Sequence, residues 1–132
     1  MRKTKKWYQF GFKYAASGLW QALKSGKNMK VAAMATITVI IAAFWLSTSA
    51  IENAILALTI GLAISAELFN SAIERAVDIS CDDILSQELK KDSVNRNAKL
   101  AKDISAGAAL FTALIALVVG IIIFIPKIIA KI

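Results

Sequence analysis

Three long apolar blocks, at residues 31–50, 54–76 and 103–125, leave this chain few ways to fold. Each is close to the ~20 residues that a helix needs to cross the hydrocarbon of a bilayer. Inside lipid, a helix satisfies its own backbone hydrogen bonds, whereas an open strand does not. A soluble domain of 132 residues, 58% of them hydrophobic, has too little interior to hide that surface. The expectation is an all-α integral membrane protein forming one membrane domain over residues 1–132, with three transmembrane helices. A short turn around Glu52 and Asn53 joins the first two spans. A polar, charge-rich stretch at 78–102 reads as a loop, and the third span is expected to stop at Pro126, which cannot donate a helical hydrogen bond.

Charge orients the spans. The net charge is +7, and residues 1–30 hold eight basic residues and no acidic one. A basic arm next to apolar spans meets anionic lipid headgroups, so the expected partner is an anionic lipid surface and not nucleic acid. Residues 4–29 mix Trp7, Phe10, Phe12, Tyr14, Leu19, Trp20 and Leu23 with Lys5, Lys6, Lys13 and Lys24, the pattern of an N-terminal amphipathic surface helix. A signal peptide does not fit, because the basic region is too long and further spans follow. Residues 1–30 and 75–102 carry fourteen of the sixteen Lys and Arg residues. Three spans place both regions on one side, and the positive-inside rule makes that side cytoplasmic, with the C-terminus outside. With no histidine and one cysteine, Cys81, an internal disulfide is impossible and structural zinc is excluded in practice, and any metal would be hard and oxygen-bound. Small residues such as those of Ser105–Ala109 allow close helix approach and point to a homo-oligomer, although alanine is also simply common in membrane helices.

The second span carries the chemistry. At 100° per residue, Glu67, Asn70, Ser71, Glu74 and Asp78 lie within about 60° of one direction, while Leu68, Phe69, Ile73 and Val77 fall elsewhere. Asp78, and Glu74 with it, can be read as ordinary solvation of a helix end. Glu67 cannot, because it sits seven residues deeper, where insertion of a charge costs roughly 2.5–3.5 kcal/mol, and such groups face protein, water or ligand. The third span opens with Lys99, Lys102 and Asp103 at a helix start, where the dipole favours anions. Beside the Glu74 and Asp78 end, these suggest a phosphate and magnesium site; ordinary interfacial charge explains the spacing equally well.

The run Glu67-Leu-Phe-Asn70-Ser71-Ala-Ile-Glu74-Arg-Ala-Val-Asp78, followed by Ala101-Lys102-Asp103-Ile-Ser-Ala-Gly-Ala, resembles the small integral-membrane prokaryotic diacylglycerol kinase family, which includes the undecaprenol kinases of Gram-positive bacteria. The likeness extends to Phe12–Ala22, Lys27–Lys30 and Phe124–Lys127. It implies a homotrimer in the bacterial cell membrane with active sites between subunits. The implied reaction transfers the ATP γ-phosphate, with Mg2+, to the hydroxyl of a membrane lipid, undecaprenol or diacylglycerol. By the resemblance Glu67 is the general base, Glu74 a metal ligand, and Asn70 and Ser71 line the site. Glu74, Asp78, Lys102 and Asp103 bind nucleotide, with Tyr14 a nucleotide neighbour.

Two departures stand out. The family's second metal-binding glutamate, just before the Asn-Met-Lys stretch, is here Gly26, and no acid precedes Glu52. The 78–102 stretch is longer than the family's, with Asp83, Ile84 and Leu85 where Tyr-His-like adenine contacts are expected. The competing readings are a degenerate, non-catalytic member and an ion-conducting oligomer lined by the Glu67 stripe. A pore needs a polar face through the whole membrane, and residues 54–66 offer only Thr59, Gly61 and Ser65.

Overall fold

A computed structural model describes residues 7–85 and 91–132. It contains four helices: α1 (Trp7–Ser25), α2 (Lys27–Trp45), α3 (Ala50–Leu85) and α4 (Lys91–Ile129). Three stretches, Lys27–Trp45, Ala50–Ser80 and Asn95–Ile129, are long and apolar enough to cross a membrane. Large apolar side chains point outward along all of them, among them Phe44, Leu58, Leu62, Phe111 and Ile122. Exposing such groups to water would be costly, whereas lipid is their natural solvent.

α3 and α4 form the principal pair and run antiparallel. Glu52 meets Lys127 at one end, Asn70 meets Ser105 further along, and Asp78 meets Lys102 beyond that. Among the described residues few side chains are buried: Ala22, Met29, Leu46, Leu56, Ala109 and Ile123, with Asn70 and Ser105 as the polar members. The chain's interior is therefore thin, and polar register marks stand in for a large core.

Gly26 separates α1 from α2. Its backbone is extended (φ −86°, ψ 118°) and its N–H donates to the Ala22 carbonyl at 3.0 Å. An added Cβ would stand 3.0 Å from the Ala22 carbonyl oxygen and 3.2 Å from Met29 Cβ. The corner is thus tightly packed, and a side chain there would push its neighbours aside by a few tenths of an ångström. On α1, Phe12, Tyr14 and Trp20 are exposed, and the Lys24 ammonium sits 5.2 Å from the Trp20 ring centre.

The first connection differs from expectation. α2 ends at Trp45, well before residue 50, and the turn is 46–49, with Glu52 and Asn53 already inside α3. Two features close it. Ser47 takes a left-handed conformation (φ 51°), and the N–H groups of Ser47 and Thr48 donate back to the Phe44 and Ala43 carbonyls at 3.3 and 3.1 Å. Ser49 and Glu52 then cap α3 reciprocally, the Ser49 N–H donating to Glu52 Oε2 at 2.6 Å and the Glu52 N–H to Ser49 Oγ at 3.3 Å.

The second and third differences concern helix length. The 78–102 stretch is not a loop across its length, since α3 continues to Leu85 and α4 begins at Lys91; residues 86–90 lie outside the described residues. No glycine or proline occurs from Leu62 to Ala106, so nothing in the sequence interrupts the hydrogen-bond ladder. α4 also runs through Pro126 to Ile129. A proline inside a helix costs about 3 kcal/mol. Here it falls in the last turn, where Ala130 N–H donates to the Pro126 carbonyl at 3.0 Å and Lys131 N–H to Ile128 at 3.1 Å. Side chains hold that turn as well: Lys127 pairs with Glu52 at 3.0 Å, and the Lys131 ammonium donates to the Trp45 carbonyl at 2.7 Å, 4.5 Å from the Trp45 ring centre.

Removing either partner of the Glu52–Lys127 pair lowers the thermal midpoint in detergent. Glu52→Gln and Lys127→Met combined lower it by less than the sum of the single changes, because both remove one interaction; strictly additive shifts would show that the pair is uncoupled.

Candidate functional site

The acidic stripe of α3 faces α4, and the packing sorts its members. Asn70 is 2% exposed. Ser105 Oγ donates to Asn70 Oδ1 at 2.7 Å, with the Lys102 carbonyl at 2.9 Å as a second acceptor. Asn70 Nδ2 in turn donates to Glu74 Oε1 at 3.3 Å. A buried amide left unpaired is expensive, so this relay fixes both the helix register and the Glu74 carboxylate. One turn further, Lys102 Nζ donates to Asp78 Oδ1 at 2.8 Å across the two helices. That pair is more open, the lysine side chain 38% and the aspartate 64% exposed.

Glu67 lies two turns deeper, roughly 10 Å from Glu74 along the axis at 1.5 Å per residue. Its Oε2 is shut off from solvent and has no hydrogen-bond partner among the described residues. It contributes to the wall of a 650 Å³ groove between α2, α3 and α4, lined otherwise by apolar side chains apart from Asn28 and Thr36. A sealed carboxylate oxygen without a donor is costly to maintain.

The other residues singled out in the sequence are placed less centrally. Ser71 is half-buried beside Asn70, Asp103 and Lys99 are exposed on α4, and Tyr14 stands 65% exposed on α1. Among the described residues, no three of His, Cys, Asp and Glu come together as a ready-made cage for a metal. Ser105 was not singled out from the sequence as a site residue. Its signal was present: it is the hydroxyl on a face of small residues, one turn from Lys102, where a partner for a buried amide is needed.

These features define a class: an all-helical integral membrane protein with an amide-braced carboxylate and lysine cluster at one end of a helix pair, and a lone carboxylate below it on an apolar groove. The chain belongs to the prokaryotic diacylglycerol kinase family, whose model matches residues 13–124, a segment containing every site residue named above. It is similar to an undecaprenol kinase of Bacillus subtilis, 37% identical over 116 residues, spanning 88% of this chain and 86% of that one. It is also similar to a diacylglycerol kinase of Synechocystis, 34% identical over 119 residues, spanning 90% of this chain and 63% of that one. No solved structure gives a match.

The relay makes a stability prediction. Asn70→Ala leaves the Ser105 hydroxyl only the Lys102 carbonyl on its own helix, removes the bond between α3 and α4 and a donor from Glu74, and lowers the unfolding free energy by about 1–3 kcal/mol. Asp103→Ala, at an exposed position, has a much smaller effect. Equal losses in a denaturation assay would remove the relay's structural importance.

Proposed function

We propose that the chain is an ATP- and Mg2+-dependent lipid kinase that phosphorylates the hydroxyl of a membrane lipid, undecaprenol before diacylglycerol. The observation that carries this reading is Glu67: a sealed carboxylate oxygen without a donor, facing an apolar groove, below a cluster of opposite-charge groups. A lipid alcohol supplies what is missing, a hydrogen for the carboxylate and apolar matter for the groove. Undecaprenol is placed first because the Bacillus subtilis relative matches along most of both chains.

In this mechanism Glu67 accepts the hydroxyl proton as the alcohol oxygen attacks the γ-phosphorus. The bond from that phosphorus to the bridging oxygen breaks, and its electron pair leaves with ADP. Lys102, steadied by Asp78, offers positive charge to the phosphate oxygens, and the Asn70 amide holds Glu74 in orientation. Glu74, a hard oxygen donor oriented by the Asn70 amide, would hold Mg2+ beside the phosphates. When bound, the metal neutralises charge between phosphate groups.

The same reading places the Lys102 end at the cytoplasmic side of the bacterial cell membrane, by the weight of Lys and Arg there. α1 lies along that surface, its aromatics at headgroup level and its lysines among anionic lipids. The thin interior and outward apolar faces are supplied with neighbours by a homotrimer.

Purified protein in detergent with labelled ATP, Mg2+ and either undecaprenol or diacylglycerol tests the proposal. Glu67→Gln is expected to lower lipid phosphorylation by roughly 10²–10⁴-fold. Absence of any phosphorylated lipid, or full activity in Glu67→Gln, overturns it. Chelation of divalent ions is expected to stop the reaction, with Mg2+ restoring it.

Gly26 gives a separate test. Gly26→Ala meets the Ala22 carbonyl and Met29 and lowers the thermal midpoint. Gly26→Glu adds a carboxylate at the same steric cost, and its Mg2+ requirement drops below that of Gly26→Ala. Identical Mg2+ titrations of the two variants would show that a carboxylate there contributes nothing.

A further inference from the structure

The groove at Glu67 continues far beyond the place where a hydroxyl would be held. Its α4 wall runs from Ala109, level with Glu67, to Ile125, roughly 24 Å at 1.5 Å per residue and most of the ~30 Å hydrocarbon thickness. Small residues keep it open: Ala32 and Ala35 on α2, and Ala109, Ala113, Ala116 and Gly120 on α4. A second cavity of 560 Å³ between α2 and α3 shares Thr36, Val39 and Ile60 with it, so the depression extends toward the 46–49 turn. A Cβ added at Gly120 meets only Phe124 Cδ2, at 4.0 Å, so the space over this glycine belongs to the groove.

We infer that this groove is the track for the acceptor's tail and that Gly120 determines how long a tail it takes. The inference rests on the lipid-kinase reading and adds specificity residues to it. The one carboxylate sealed at its polar end selects an occupant with a hydroxyl at one end and a long apolar body. Gly120 stands roughly 16 Å along α4 from Ala109. A side chain there obstructs the distal part of the track and leaves the part next to Glu67 open. Ala113, only one turn from Ala109, controls the proximal part.

The test compares undecaprenol with geraniol, a short isoprenoid alcohol, as acceptors. Gly120→Leu is expected to lower the ratio of kcat/KM for undecaprenol over geraniol by roughly ten- to a hundred-fold, mainly through KM, the scale of discrimination that apolar pockets achieve. Ala113→Leu is expected to impair both alcohols. Ile122→Phe, exposed on α4 and outside the groove, keeps the unaltered ratio. Without ATP, undecaprenol raises the thermal midpoint of the unaltered protein and of Ile122→Phe, but raises that of Gly120→Leu less. An unchanged ratio and an undiminished midpoint shift in Gly120→Leu overturn the inference while leaving the kinase reading intact. Equal impairment of both alcohols together with a changed oligomeric size overturns it in favour of a face between copies. Failure of the unaltered protein to phosphorylate either alcohol overturns the inference, and failure on diacylglycerol as well removes the kinase reading with it.

Discussion

The hydrogen bond between Asn70 and Ser105 is the constraint on which the rest depends. In lipid, apolar helices gain little by touching one another, since hydrocarbon tails are as welcoming as leucine. What fixes two helices is the loss incurred when a buried amide is pulled from its partner. Asn70, almost wholly buried, satisfies its oxygen on α4 and its nitrogen on Glu74 one turn along α3. The register it sets brings Asp78 to Lys102 on one side, and Glu52 to Lys127 at the far end. One contact thus aligns the cation and carboxylates of the proposed nucleotide end with the groove that leads away from Glu67.

Much of this was legible in the residues because lipid imposes simple rules. Three blocks of the right length read as spans, and Glu67, deep in its angular stripe, called for protein, water or a ligand. Helix ends were read less well. Pro126 was weighed as a stop signal, yet three side-chain contacts from Lys127 and Lys131 hold the turn that contains it. The charged stretch at 78–102 looked like a loop by polarity, while its lack of glycine and proline pointed to helix; the latter carries more weight for backbone geometry.

The site was legible where one helix carried it and obscure where two did. The α3 stripe follows from periodicity, but which residue of α4 answers Asn70 depends on register, which no single-helix pattern contains. Ser105 therefore appeared only as part of a small-residue face. The Glu52 and Lys127 pair was hidden for the same reason, as it joins residues far apart in sequence. Gly26 was noticed for a missing carboxylate. The structure adds a steric reason for its identity, the close carbonyl of Ala22.

The turn at 46–49 bears on how the protein enters its membrane. Ser47 reverses the chain in a left-handed conformation, the carbonyls ending α2 are satisfied by Ser47 and Thr48, and Ser49 with Glu52 satisfies the first turn of α3. Thr48 and Asn53 tie the two sides together, the threonine hydroxyl donating to Asn53 Oδ1 at 2.7 Å. With so little free chain between them, α2 and α3 are held as a helical hairpin whose polar backbone is closed at its tip, so the turn itself presents few unpaired groups to the bilayer; α4 packs onto this hairpin through its serine and its two terminal lysines.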